Sequence, residues 1–117
     1  MYQKEFTFIQ HVVKSKMLSN KEKQQLKKIA HSEEVLKINI GKDLLDNKVI
    51  INIQNAFNTR EIIKISFLKS AIENGDKNAI ILDLVSALNC DVIQTIGNTV
   101  LIYKPNLKLK NHIILEK

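Results

Sequence analysis

The chain is poor in cysteine and in aromatic residues. It has one cysteine, Cys90, and no tryptophan, and aromatic residues make up 5% of its 117 residues. A single cysteine excludes an internal disulfide and fits a reducing compartment. With so few rings, a protein that stacks single-stranded bases on an aromatic platform is an unfavourable interpretation.

Long apolar runs are also lacking. No apolar run approaches the ~20 residues that a membrane span needs. The first 16 residues carry Glu5 and have no continuous apolar core, which argues against a signal peptide. We therefore expect a cytoplasmic protein that does not enter a membrane.

Aliphatic residues and lysine are present in quantity. Hydrophobic residues make up 44% of the chain, and the formal net charge is +6. A chain of this length can bury the core of one domain without a disulfide. The positive charge favours a polyanionic partner without identifying one. It comes from the N-terminal half and from residues 104–117, whereas residues 76–103 are acidic, so we expect the helix within them to face away from a polyanion.

The spacing of apolar residues predicts alternating helices and strands. Ser19 and Glu22 have the spacing of a capping box, which predicts a helix to about His31 with an inner stripe of Leu26, Ile29 and Ala30. The other predicted elements are a strand over 35–40, a helix after Asp46, a strand over 61–68, a helix after the turn at 74–76, and two strands on either side of Gly97-Asn98. Gly97 suits the first central position of a tight hairpin turn.

This order predicts the fold class. Helix, strand, helix, strand, helix, strand, strand is typical of a single compact α/β domain, with a four-stranded mixed sheet packed with helices. The strand–helix–strand units predict right-handed crossovers, and the closing hairpin adds an antiparallel edge.

Several segments, in this order and spacing, resemble the YhbY family of small bacterial RNA-binding proteins, which carry the CRM domain (chloroplast RNA splicing and ribosome maturation). The matching segments are Leu18-Ser19, Ala30-His31, a strand ending in Ile40-Gly41, the run Glu61-Ile62-Ile63-Lys64-Ile65, and a Gln-x-Ile-Gly-x-Thr hairpin that ends in Tyr103-Lys104-Pro105. The resemblance covers about residues 17–105. It implies a fold similar to the C-terminal domain of translation initiation factor 3. It also implies binding of structured RNA, in precursors of the large ribosomal subunit.

The resemblance divides the chain into an N-terminal extension (1–16), the CRM domain (17–105) and a basic C-terminal tail (106–117). The extension is either an added helix or the product of an upstream start codon. Two departures fall in segments that the family points toward RNA. The family loop Gly-x-x-Gly reads Gly41-Lys42-Asp43-Leu44 here, and Asn98 replaces the usual Lys or Arg after the turn glycine.

The candidate RNA-binding residues combine lysines with the loop glycine. Backbone N–H groups at a helix start bind anions, and a glycine lets a phosphate approach the backbone closely. The candidates are Lys21, Lys23, Lys27, Lys28, Gly41, Lys42, Asn98 and Lys104. The alternatives are an ordinary turn glycine, a solvated helix face and a flexible lysine-bearing tail.

Catalytic patterns are absent from the sequence. The three histidines have no metal-ligand spacing with Cys90, and there is no phosphate-loop motif or nucleophile elbow. Together with the resemblance to the YhbY family, which implies the ribosomal role, this leads us to expect a monomeric RNA-binding protein without catalysis, cofactor or metal, which binds structured ribosomal RNA during assembly of the large subunit. A protein-interaction module with weakened RNA binding is the alternative, and a small nucleic-acid-processing enzyme is a third possibility.

Overall fold

The computed structural model describes residues 18–41, 46–72 and 77–115. The helices and strands, in chain order, are α1 (Asn20–Ser32), β1 (Leu36–Ile40), α2 (Asn47–Ala56), β2 (Ile62–Phe67), α3 (Lys69–Ile72), α4 (Lys77–Leu88), β3 (Asp91–Ile96) and β4 (Thr99–Tyr103). The predicted order is confirmed, with the single turn α3 added. Within the described residues, no helix is both long and apolar enough to cross a membrane.

The strands form one sheet in the order β1-β2-β4-β3. β1 pairs with β2 in parallel, whereas β4 is antiparallel to both β2 and β3. The predicted four-stranded mixed sheet is therefore confirmed. The carboxyl ends of β1 and β2 meet at the same edge of the sheet as the β3–β4 turn.

One face of the sheet carries the larger core. The alternate residues Ile63, Ile65 and Phe67 of β2 are all buried there under α2 and α4. Cys90, which follows α4, packs in the same core, and burial raises the pKa of its thiol from 9.0 to about 12. The cysteine thus packs as a small apolar residue.

The opposite face carries α1. Its capping box forms as predicted, since the Glu22 N–H donates to Ser19 Oγ at 3.1 Å and the Ser19 N–H donates to Glu22 Oε1 at 3.0 Å. Leu26 is fully buried against Leu101 and Tyr103 in a second apolar cluster. Burial, together with the nearby carboxylates, raises the pKa of Tyr103 to about 12.

Glu61 fastens the segment that follows β4. Its side chain is buried and accepts hydrogen bonds from the Asn106 N–H at 2.9 Å and the Ile113 N–H at 2.6 Å. Nδ1 of His112 lies 2.8 Å from Oε2 of Glu61. Ile113 and Leu115 then pack on the second apolar cluster. The described part of the tail is therefore held against the domain, while its treatment as a separate basic unit stays a prediction.

We predict that Glu61→Gln lowers the free energy of unfolding by about 1–3 kcal/mol, because an amide NH₂ would face groups that donate to the carboxylate. Urea denaturation followed by circular dichroism measures this change. Glu34→Gln is the matched control, since Glu34 is exposed, and its effect should stay within about 0.5 kcal/mol. Equal effects of the two substitutions would mean that Glu61 does not hold the tail.

Candidate nucleic-acid interface

Two consecutive backbone amides at the end of β2 bring Gly41 and Asn98 to one edge of the sheet. The Phe67 N–H donates to the Asn98 carbonyl at 2.8 Å, and the Leu68 N–H donates to the Ile40 carbonyl at 2.8 Å. The loop after β1 and the β3–β4 turn thus flank the same strand end. We call this the glycine edge, defined by Gly41, Leu68 and Gly97-Asn98.

Neither the turn geometry nor the packing requires a glycine at position 41. Among the described glycines only Gly97 has a positive φ, +56°, which the hairpin turn demands. A Cβ on Gly41 would lie 3.5 Å from Leu68 Cδ1, an ordinary contact. The fold therefore does not need a glycine at position 41, and the missing side chain would let a partner approach the backbone closely. Lys42, Asp43 and Leu44 lie outside the described residues.

Two longer helices begin near the glycine edge. α4 begins at Lys77, whose Nζ donates to the Gly97 carbonyl at 2.5 Å. α2 begins at Asn47, six residues after Gly41, and the side chain of its N-cap, Asp46, makes no capping hydrogen bond. Helix N-termini carry partial positive charge and free N–H groups, so their position favours an anion at this edge.

The sequence interpretation missed Lys77 and the exposed Lys69, which begins α3 directly after Leu68. Lys77 was overlooked because residues 76–103 are acidic as a whole, and the helix was expected to face away from a polyanion. The positions of Lys69 and Lys77 at the starts of helices that follow β2 could have indicated that both lie near the glycine edge. In an α/β sheet, such positions lie at the carboxyl ends of parallel strands.

The lysines of α1 lie on the face of the sheet instead of at this edge. Lys21 and Lys28 are exposed, and Lys23 and Lys27 are half-buried. The last turn of α1, at His31, shares a cavity with residues that flank the β3–β4 turn. Only the carboxyl end of α1 therefore approaches the glycine edge.

The amino end of α1 lies elsewhere. Lys23 lines a groove with Leu82 and Asp91, at the start of β3. The turn is at the far end of that strand, about 20 Å away at ~3.3 Å per residue. Lys21 and Lys23 are thus separated from Asn98 along β3, and their contact with RNA stays a prediction.

Lys104 lies at the opposite edge of the sheet from Gly41. It follows β4, and its N–H donates to the Glu61 carbonyl at 2.9 Å. Its Nζ donates to the Leu88 carbonyl at 3.1 Å, at the carboxyl end of α4. The structure gives Lys104 a role in capping a helix, and its predicted contact with RNA is not tested by this position.

Among residues 18–41, 46–72 and 77–115, no three His, Cys, Asp or Glu side chains are placed to hold a metal ion together. His112 and Glu61 form a titratable pair, with Nδ1 of His112 2.8 Å from Glu61 Oε2, and both hold the tail. The pair lies at the edge opposite the glycine edge.

The two described glycines should respond differently to a side chain. We predict that Gly97→Ala lowers the free energy of unfolding by about 1–2 kcal/mol, because a Cβ is disfavoured in the left-handed region. Gly41→Ala should leave it unchanged or raise it by up to about 1 kcal/mol. Urea denaturation of both variants measures the difference, and a loss of stability in Gly41→Ala as large as that in Gly97→Ala would show that the fold requires Gly41.

Comparisons with known proteins agree with this architecture. The family model for the CRS1 / YhbY (CRM) domain matches residues 18–104. The "Probable RNA-binding protein YqeI" of Bacillus subtilis is 35% identical over 94 residues, which cover 80% of this chain and 95% of that protein. The "RNA-binding protein" of Haemophilus influenzae is 32% identical over 93 residues, 80% of this chain and 91% of that protein.

A solved structure is also similar. The solution structure of the hypothetical protein SAV1595 from Staphylococcus aureus, a candidate RNA-binding protein, superposes with a TM-score of 0.66 at 29% identity. The similarity covers 86% of this chain and all of that chain. The family match begins and ends within one residue of the range expected from the sequence motifs. The chain belongs to the CRS1/YhbY (CRM) domain family.

Proposed function

We propose that the chain binds structured RNA at the glycine edge. The observation that carries the proposal is the convergence of Gly41, the Gly97-Asn98 turn and the starts of two helices at one end of β2. Family membership and the net charge of +6 support it. Phosphate groups would meet backbone N–H groups and the ammonium of Lys77, and Lys27 and Lys28 would extend the contact along α1.

Contacts with phosphates and RNA shape would dominate over stacking. The rings of Phe57, Phe67 and Tyr103 are 4%, 3% and 5% exposed, so none of them offers a surface to a base. These are the aromatic residues of the described part of the chain. Recognition without stacking fits folded RNA better than an extended single strand.

We further propose that the RNA is ribosomal RNA in precursors of the large ribosomal subunit, bound by a cytoplasmic monomer. This step rests on the resemblance to the YhbY family. In this role the chain binds the RNA and does not catalyse a reaction on it. Because Asn98 and the loop after Gly41 depart from the family pattern, backbone groups and the ammonium of Lys77 would make the contact instead of a second glycine and a cation within the turn.

We predict a steep loss of affinity with salt. Each phosphate neutralised by a lysine contributes a slope of about −0.7 to −0.9 to log K against log salt concentration, because bound counterions are released. A fluorescence-anisotropy titration of the full chain with a fragment of large-subunit ribosomal RNA, between 50 and 300 mM KCl (about a sixfold range), measures the slope. A flat response would contradict phosphate docking. It would instead favour the protein-interaction module, for which the 48% exposed Leu68 at the glycine edge is the supporting observation.

We predict that Lys27→Glu combined with Lys28→Glu weakens RNA binding at least about tenfold, because four units of charge change at the carboxyl half of α1. The charge-matched control is Lys108→Glu with Lys110→Glu, in the segment held by Glu61 at the other edge. Both double variants should keep the melting temperature close to that of the parent. If the control loses as much affinity as the α1 variant, net charge and not a located site governs binding.

A further inference from the structure

Part of the sheet face that carries α1 is polar. In the parallel register of β1 and β2, Lys37 lies opposite Lys64, and Asn39 lies opposite Ser66. Lys37 and Asn39 are exposed, and Lys64 and Ser66 are half-buried. The next strand continues this surface with Thr99, which pairs with Ser66. This polar surface leads directly to the glycine edge, since Gly41 and Asn98 are close neighbours of its last residues.

The two lysines carry like charges at directly opposed positions. Like charges directly across a sheet are destabilising. Among the described residues, no carboxylate forms an ion pair with Lys37 or Lys64. An anionic group seated between them would remove the repulsion, and an RNA phosphate has the required charge.

A cavity of about 160 Å³ adjoins Lys64, between this surface and the last turn of α1. A cavity of this volume has room for several waters or for one planar heterocyclic base. Its lining combines polar groups of Lys64, Gln94 and Thr99 with apolar groups of Ile96 and Leu101. Ile96 is 52% exposed, so an aliphatic surface faces outward at the mouth.

Gln94, which lines this cavity, has a hydrogen-bond acceptor without a partner. Its Oε1 is buried and has no hydrogen-bond partner among the described residues. Buried polar atoms are satisfied in the large majority of cases, so an unpaired one in a side chain that lines a cavity indicates a missing donor. Every nucleobase carries an N–H on its pairing edge that can donate to such an oxygen.

We infer that the cavity receives one unpaired base of the bound RNA, with its pairing edge toward Gln94 and its phosphate at Lys37 and Lys64. The inference rests on the proposed function and adds to it a contact that distinguishes an unpaired nucleotide from a paired one. The base enters between Ile96 and α1, and aliphatic contact replaces aromatic stacking. Phosphate docking at the glycine edge holds the RNA in place for this contact.

The test uses the full chain and three RNA hairpins that differ at one position. The first carries a single bulged nucleotide, the second an abasic residue at the bulge, and the third is fully paired. The bulged hairpin should bind about fivefold or more tighter than the abasic one, which is the fold-change expected for about one buried hydrogen bond. The side-chain amide signal of Gln94 in a ¹⁵N NMR spectrum should shift with the bulged hairpin and not with the abasic one.

Gln94→Leu removes the acceptor and leaves no unpaired polar atom, so the fold should tolerate it. It should abolish the advantage of the bulged hairpin, whereas Gln54→Leu, at an exposed position on α2, should preserve it. Equal binding of the three hairpins by the parent chain would overturn the base site and leave RNA binding intact. Failure of all three to bind would overturn the proposed function and the base site together.

Discussion

The candidate site depends on two consecutive hydrogen bonds at the end of β2. The amide of Phe67 holds the β3–β4 turn, and the amide of Leu68 holds the end of β1. The two bonds point in opposite directions because successive groups of a strand alternate in the hydrogen bonds they make to either side. A central strand with one parallel and one antiparallel neighbour therefore joins two loops that are more than 50 residues apart in sequence. Any ligand that contacts both loops depends on this strand end.

The two edges of the sheet at which the strands begin and end have different roles. At the glycine edge, strand ends and helix starts leave donors and partial positive charge facing outward. At the other edge, the buried carboxylate of Glu61 collects donors from Asn106, His112 and Ile113, and Lys104 caps the end of α4. These groups form hydrogen bonds with one another. The tail is therefore held in place, and few of the groups remain available to a ligand. The hydrogen bonds that hold the tail and the groups proposed to bind RNA thus lie at opposite edges of the same sheet.

Local patterns predicted the fold well. The capping box of Ser19 and Glu22, the period-two strands and the left-handed turn at Gly97 are each decided by neighbouring residues, so the sequence contains them in readable form. Asn89, which directly follows α4, has φ 54°, in the left-handed region that asparagine tolerates. The site was predicted only partly, because the positions of Lys77, Lys104 and Glu61 depend on strand order. No local pattern reports that Lys77 reaches the turn 20 residues away or that Glu61 binds residues about 50 positions later.

The most direct measurement is ultraviolet crosslinking of the full chain to a fragment of large-subunit ribosomal RNA, followed by mass spectrometry of the attached peptides. The account predicts crosslinks on peptides that contain Gly41, Lys64 or Asn98, at the glycine edge and the adjoining polar surface. Crosslinks confined to peptides around Glu61 and His112 would contradict it, because they would place the RNA at the edge whose donors already hold the tail.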